Sequence, residues 1–109
     1  MLEGRQLSAV VFVQDYIQLQ FDGATINAYV WPNIALENRV IGPDTPGYRD
    51  ALCGQIGKLV IEGVEEPEQG LALVLSNGTV VEISLREKDR TSAEAALFSD
   101  ETTRVWNVW

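Results

Sequence analysis

Few side chains in this sequence have a type and spacing suited to chemistry, and no histidine is among them. Without imidazole there is no Ser-His-Asp or Cys-His relay, and the usual nitrogen ligand of zinc, copper and non-haem iron is missing. Cys53, the single cysteine, follows Arg49 by one helical turn, a spacing at which a cation can favour the thiolate. It also falls at the C-terminal end of a predicted helix, where the dipole opposes an anion, so Cys53 is expected to be a small packing residue. Asp15 lies on the apolar face of a predicted hairpin; desolvated there it would be a proton acceptor, but pairing with Arg39 or Arg49 is the stronger expectation. Glu62, Glu65, Glu66 and Glu68 crowd one strand end. Their spacing matches no calcium loop, so they are expected to form a solvated acidic turn that protects a sheet edge. No G-x-S-x-G, S-x-x-K or glycine-rich phosphate loop occurs. The expectation is therefore no catalytic residue, no metal site and no cofactor.

Recognition chemistry is better represented. Tyr16, Tyr29 and Trp31, framed by Gln14, Gln18, Gln20 and Asn27, have the aromatic-plus-amide composition of surfaces that hold sugars, peptides or a second copy of the chain. A different grouping, Asp15, Tyr48 and Arg49, would supply polar contacts to a small molecule lodged between helix and sheet. The 109 residues carry 8 Lys and Arg against 16 Asp and Glu, a net charge of −8. That field repels phosphate backbones and anionic lipid heads and steers basic partners inward. Nucleic acid and membranes are thus poor partners, whereas a basic protein is a good one.

The elements that must position these residues follow from periodicity. Val10 to Phe21 alternates with period two, Asp22-Gly23 is a type I′ turn signal, and Ala24 to Trp31 alternates again. A hairpin results, with Leu19 opposite Ile26 and Ile17 opposite Ala28 on the core face. Gln18 then faces Asn27, Tyr16 faces Tyr29 and Gln14 faces Trp31 on the other. Asn33 to Asp44 reads as a loop with a short strand at Arg39 to Ile41. Asp44 or Thr45 then caps a helix with the stripe Tyr48, Ala51, Leu52, Gln55 and Ile56, stopped by Gly57. Lys58 to Glu65, Leu71 to Ser76 and Thr79 to Leu85 form a meander, the last two strands flanking Asn77-Gly78, a second primed-turn signal. Its middle strand is apolar on both sides, as expected of a strand covered on both faces. Ser92 to Phe98 follows a capping-box spacing and is predicted to be a short helix. Arg104 to Trp109 alternates as a last strand.

The blocks Gly47-Tyr48-Arg49-Asp50-Ala51-Leu52-Cys53, Ile83-Ser84-Leu85-Arg86 with Asp89, Glu94-Ala95-Ala96 and Trp106-Asn107-Val108-Trp109 resemble those of a group of small uncharacterised bacterial proteins. The resemblance covers about the C-terminal two thirds of the chain. It implies a bacterial origin and brings no activity, cofactor or ligand.

The expected structure is one domain, residues 1–109, of α+β class: an antiparallel sheet of five or six strands, built from two hairpins and a C-terminal strand, with one main helix and one short helix. With one cysteine and no secretory leader pattern, the expected address is the cytoplasm. The expected function is that of a non-enzymatic protein-interaction module. Its sharpest form is an acidic inhibitor or immunity-like protein that acts on a basic partner or as a homodimer. A small-molecule-binding domain or enzyme with a pocket between helix and sheet is the alternative.

Overall fold

In the computed structural model, which describes every residue from Met1 to Trp109, period-two alternation produces more strands than the sequence suggests. They are β1 (Ala9–Phe12), β2 (Ile17–Phe21), β3 (Ala24–Ala28), β4 (Asn33–Leu36), β5 (Arg39–Ile41), β6 (Val60–Glu66), β7 (Gly70–Leu75), β8 (Val80–Ser84), β9 (Ala96–Asp100) and β10 (Val105–Val108). The sole α-helix, α1 (Tyr48–Cys53), has six residues. All pairings are antiparallel, and they build two five-stranded sheets, ordered β1-β2-β3-β9-β10 and β5-β4-β8-β7-β6. The α+β expectation is therefore corrected. This is a two-sheet β protein with a minor helix.

Each sheet turns one apolar face toward the other. Ile17, Leu19, Phe21 and Ile26 from the first sheet and Ile34, Leu71, Leu73 and Ile83 from the second are at most 1% exposed and belong to one contiguous core. Burying such a face against a second sheet removes both from water at once, which one short helix cannot do.

The first hairpin has the expected register, with Phe21 opposite Ala24, Leu19 opposite Ile26 and Ile17 opposite Ala28. Asp22 and Gly23 both take positive φ, 47° and 96°, as a type I′ turn demands. The ladder stops at Ile17, however. A single strand from Val10 to Phe21 would have put the Asp15 carboxylate on the core face beside Ile17. Instead the Val13 N–H donates to the Tyr16 carbonyl at 2.9 Å, and β1 folds back on β2, which leaves Asp15 exposed. A second hairpin, β4–β5, turns on Glu37 and Asn38 at φ 50° and 65°. Without a glycine, that turn carried too weak a signal to be read.

The meander forms along β6, β7 and β8, but Asn77-Gly78 is not the expected primed turn: Gly78 alone takes positive φ, 87°, and the Leu75 N–H donates to the Thr79 carbonyl at 2.8 Å across a three-residue loop. Nor is β7 covered on both faces as expected, since only Leu71, Leu73 and Leu75 are buried. Its other face, Ala72 and Val74, is half-buried and not covered by another layer. Helix α1 is shorter than predicted at both ends: it stops at Cys53, beyond which the Gln55 and Ile56 N–H groups donate to the Leu52 and Cys53 carbonyls in i→i−3 turns, and neither Asp44 nor Thr45 caps its start. The Thr45 hydroxyl accepts from the Gly42 N–H at 3.0 Å, and Gly47, at φ 85°, occupies the cap position. The predicted helix from Ser92 to Phe98 is absent. Ala96 to Asp100 pairs instead with β3, setting Phe98 opposite Ile26, so the apolar edge of β3 overrides the helical preference of the alanines.

The chain entering β1 closes one seam between the sheets. Residues 4–7 run antiparallel to residues 57–60, with Gly4 N–H to Val60 O and Val60 N–H to Arg5 O both at 2.8 Å. No helix is long and apolar enough to cross a membrane.

Because Ile26 is fully buried and Val40 is 72% exposed, Ile26→Ala is expected to cost about 2–5 kcal/mol in urea unfolding, whereas Val40→Ala stays within about 0.5 kcal/mol.

Candidate functional site

The aromatic-plus-amide face divides in the structure. Gln18 and Asn27 do share the outer face of the first sheet, but their side chains are occupied with each other. Gln20 Nε2 donates to Gln18 Oε1 at 2.8 Å, Gln18 Nε2 donates to Asn27 Oδ1 at 2.9 Å, and the Thr25 and Ser99 hydroxyls lie 2.9 Å apart. Such a ladder stabilises the sheet and leaves fewer donors for a ligand. Tyr16 and Tyr29 meet at the end of this face, with ring centroids 5.5 Å apart.

Trp31 lies elsewhere, because the hairpin ends before it. Its ring stacks on Tyr48 (6.3 Å, 11° between planes) and meets the edge of Phe12 at 6.3 Å. Arg49 covers this cluster, its guanidinium carbon 4.5 Å from the Phe12 centroid and 5.9 Å from that of Trp31. An exposed cation–π contact of this kind is worth about 0.5–1 kcal/mol. The Tyr48 hydroxyl donates to the Pro32 carbonyl at 2.6 Å, and burial pushes its pKa upward. The grouping Asp15, Tyr48 and Arg49 thus does not converge. Tyr48 is buried and bonded, Arg49 is spread over rings, and Asp15 is not among the residues lining the small depression beside them. Asp15 also pairs with neither Arg39 nor Arg49; the two ion pairs of the chain are elsewhere. Cys53 is exposed rather than packed. No group of three or more acidic or cysteine side chains is arranged to share a metal ion, the Glu62–Glu68 cluster included.

What the fold does assemble is a groove at one end of the two sheets. Its volume is about 1130 Å³, and its lining includes Gln14, Asp15, Tyr29 and Trp31, brought there by the turn after β1 and the chain leaving β3. From the loops before α1 and after β8 come Asp44, Asp89 and Glu94. Ser84 donates to Asp89 Oδ2 at 2.6 Å and holds that carboxylate at the rim. No lysine or arginine lines the groove. Four carboxylates bias the groove toward positive groups, although Arg49 already lies 5.9 Å from the Trp31 ring and Arg90 donates to the carbonyl of Ala93, a lining residue, at 3.3 Å. By contrast, the depression between Gln69 and Arg90 mixes Arg86, Lys88 and Arg90 with Glu68 and Glu87 and has no such bias. Asp44, Asp89 and Glu94 were missed because they lie on separate loops with no common spacing. The only sequence signal available was their abundance of charge.

A second charged centre is structural. Asp100, 7% exposed, accepts from Arg5 Nη2 at 2.7 Å, from the Thr102 hydroxyl at 2.6 Å and from the Thr102 N–H at 3.0 Å. Arg5 also reaches the Asp22 carbonyl at 3.4 Å, so one guanidinium ties the N-terminal seam to the first hairpin turn and the end of β9.

Compared with known proteins, the chain matches no family model, no curated protein and no solved structure. The block resemblance to small bacterial proteins accordingly carries no further inference, and function rests on the geometry.

Hydrogen bonds from Thr102 and Arg5 hold the Asp100 carboxyl well below the usual carboxylate range, and Glu3 is lowered to about 2 by bonds from the terminal amine and the Gly63 N–H. Groups with depressed folded pKa values add stability above their unfolded pKa and lose it as they protonate. Urea stability is therefore expected to fall as the pH drops below about 4, and Asp100→Asn should flatten that decline.

Proposed function

We propose that this protein is a non-enzymatic interaction module that binds a basic segment of a protein partner in the groove between Tyr29, Trp31 and the carboxylates of Asp15, Asp44, Asp89 and Glu94. The single observation supporting this is the groove's charge: four carboxylates and no cation line it. The net charge of −8 adds long-range steering toward a basic partner. An inhibitor or immunity-like role fits such a surface, because an acidic protein of this size can cover a basic active site without chemistry of its own. The exposed, unpaired Cys53 suits the reducing cytoplasm as the place of action.

A flexible peptide of lysine, arginine and glycine, titrated by calorimetry, is expected to bind with an affinity that falls at least about tenfold between low and high salt. Neutralising the groove with Asp15→Asn, Asp44→Asn, Asp89→Asn and Glu94→Gln together should weaken it to a similar degree. Undiminished binding by that variant would sink the reading.

A second reading, self-association, draws on β10. Its four residues are all exposed, Trp106 at 69%. The Trp109 N–H donates to the Ala96 carbonyl at 2.9 Å and its carbonyl accepts from Ala95 N–H at 2.7 Å. By the alternation of an antiparallel ladder, the N–H and C=O groups of Trp106 and Val108 then point away from the sheet. Two copies related by a two-fold axis, Asn107 against Asn107, would set Trp106 opposite Val108 of the second copy and satisfy both edges. Light scattering over a concentration series should show a dimer that Val108→Pro dissociates. A monomer at every concentration removes this reading.

A further inference from the structure

The outer face of the second sheet carries an apolar band in which Ala35, Val64, Ala72, Val74 and Val80 are half-buried and Val40, at the edge strand, is exposed. By register, Val40, Ala35, Val80 and Val74 stand opposite one another across β5, β4, β8 and β7, and Glu62 of β6 completes the row. Beside it Glu82, Ala72 and Val64 line up in the same way. Val40 is 72% exposed, and Ile61, at the register shift between Val60 and Glu62, is 58% exposed. Every register position on this face is apolar, neutral or acidic. None is Lys or Arg, and Glu62, Glu66 and Glu82 have no ionic partner. The face is continuous with the groove, since Asn33 of β4 and Ser84 of β8 belong to both.

Sheet faces with apolar rows are ordinarily covered by a helix or a second sheet. Here α1 lies against β1, on the other sheet. A row across five strands at about 4.8 Å each spans roughly 19 Å, the length of a helix of about 13 residues. We propose that this face docks a basic amphipathic helix of a partner protein. The partner's apolar stripe would lie along Val40, Val80 and Val74, and its lysines and arginines would meet Glu62, Glu66 and Glu82. The proposal rests on the reading of the groove as a basic-partner site and adds the chemistry of the partner's main contact. Charge complementarity selects this occupant. A second copy docked on this face would bring the same carboxylates against Glu62, Glu66 and Glu82, and anionic lipid is repelled by them as well.

The test is an NMR titration of the labelled protein with a designed peptide of about 14 residues. Leucines stand at i, i+3, i+4 and i+7 and lysines elsewhere, with a scrambled peptide of identical composition as control. Amide shifts are expected at Val74, Val80 and Glu82. Glu62→Lys with Glu82→Lys should weaken binding by about tenfold or more without lowering Tm, and the scrambled peptide should bind about tenfold less tightly. The groove variant Asp44→Asn with Asp89→Asn should retain binding of this peptide within about threefold. Shifts confined to Tyr29, Ser92 and Glu94, equal binding of the scrambled peptide, or no binding at all would overturn the docking face. The groove reading is judged separately by the flexible basic peptide, so the two can fail independently.

Discussion

The structure depends on one constraint: each of two antiparallel sheets has an apolar face that must be removed from water, and the only partner large enough for either is the other. Leu71, Leu73 and Leu75 on β7 meet this constraint across the core from Ile17, Leu19 and Ile26. Strand burial follows a strict in-out alternation in β2, β3, β7 and β9. A one-residue slip in any of them would move a row of buried aliphatics to the surface, so the register is held by the core rather than by the turns alone. The polar seams then lock what burial has placed. Arg5 bridges the N-terminal segment, the Asp22 turn and the buried Asp100 at positions where an unpaired carboxylate would be costly.

That division of labour explains where binding capacity is left over. The core takes the aliphatics and the first sheet's outer face closes its amides into a ladder, so neither has free chemistry to offer. Unsatisfied charge collects at the ends and on the outer face of the second sheet, where loops bring carboxylates together without cations. A groove formed by loops on a rigid two-sheet frame is a common place for recognition, because the frame fixes the loop ends and leaves their side chains free to vary.

The sequence carried the local geometry faithfully where a turn signal and alternation agreed. Asp22-Gly23 set a hairpin in which the pairing of Leu19 with Ile26 could be counted residue by residue, whereas Asn77-Gly78 marked a hairpin but not its turn type, since Ser76 joins the loop and Gly78 alone takes positive φ. It failed where the deciding partner was distant. Residues 92–98 look helical because alanines and a capping spacing favour a helix locally, yet β3 had an unpaired apolar edge that Ala96 to Asp100 filled. Residues 10–21 look like one strand because alternation continues through Asp15, and only the cost of burying that carboxylate breaks the run.

The same distinction holds for the site. Composition alone establishes that imidazole chemistry is absent and that the net field is negative, because these are sums over residues that no fold can alter. Tyr29, Trp31, Gln14 and Asp15 were visible as candidates, but as members of two separate groupings. Only the tertiary structure decided that they share a groove with Asp44, Asp89 and Glu94, and that Trp31 turns away from Tyr16 to stack on Tyr48. The reason is that a site is defined by distances between residues far apart in the chain, and those distances are set by which sheet faces must be buried together.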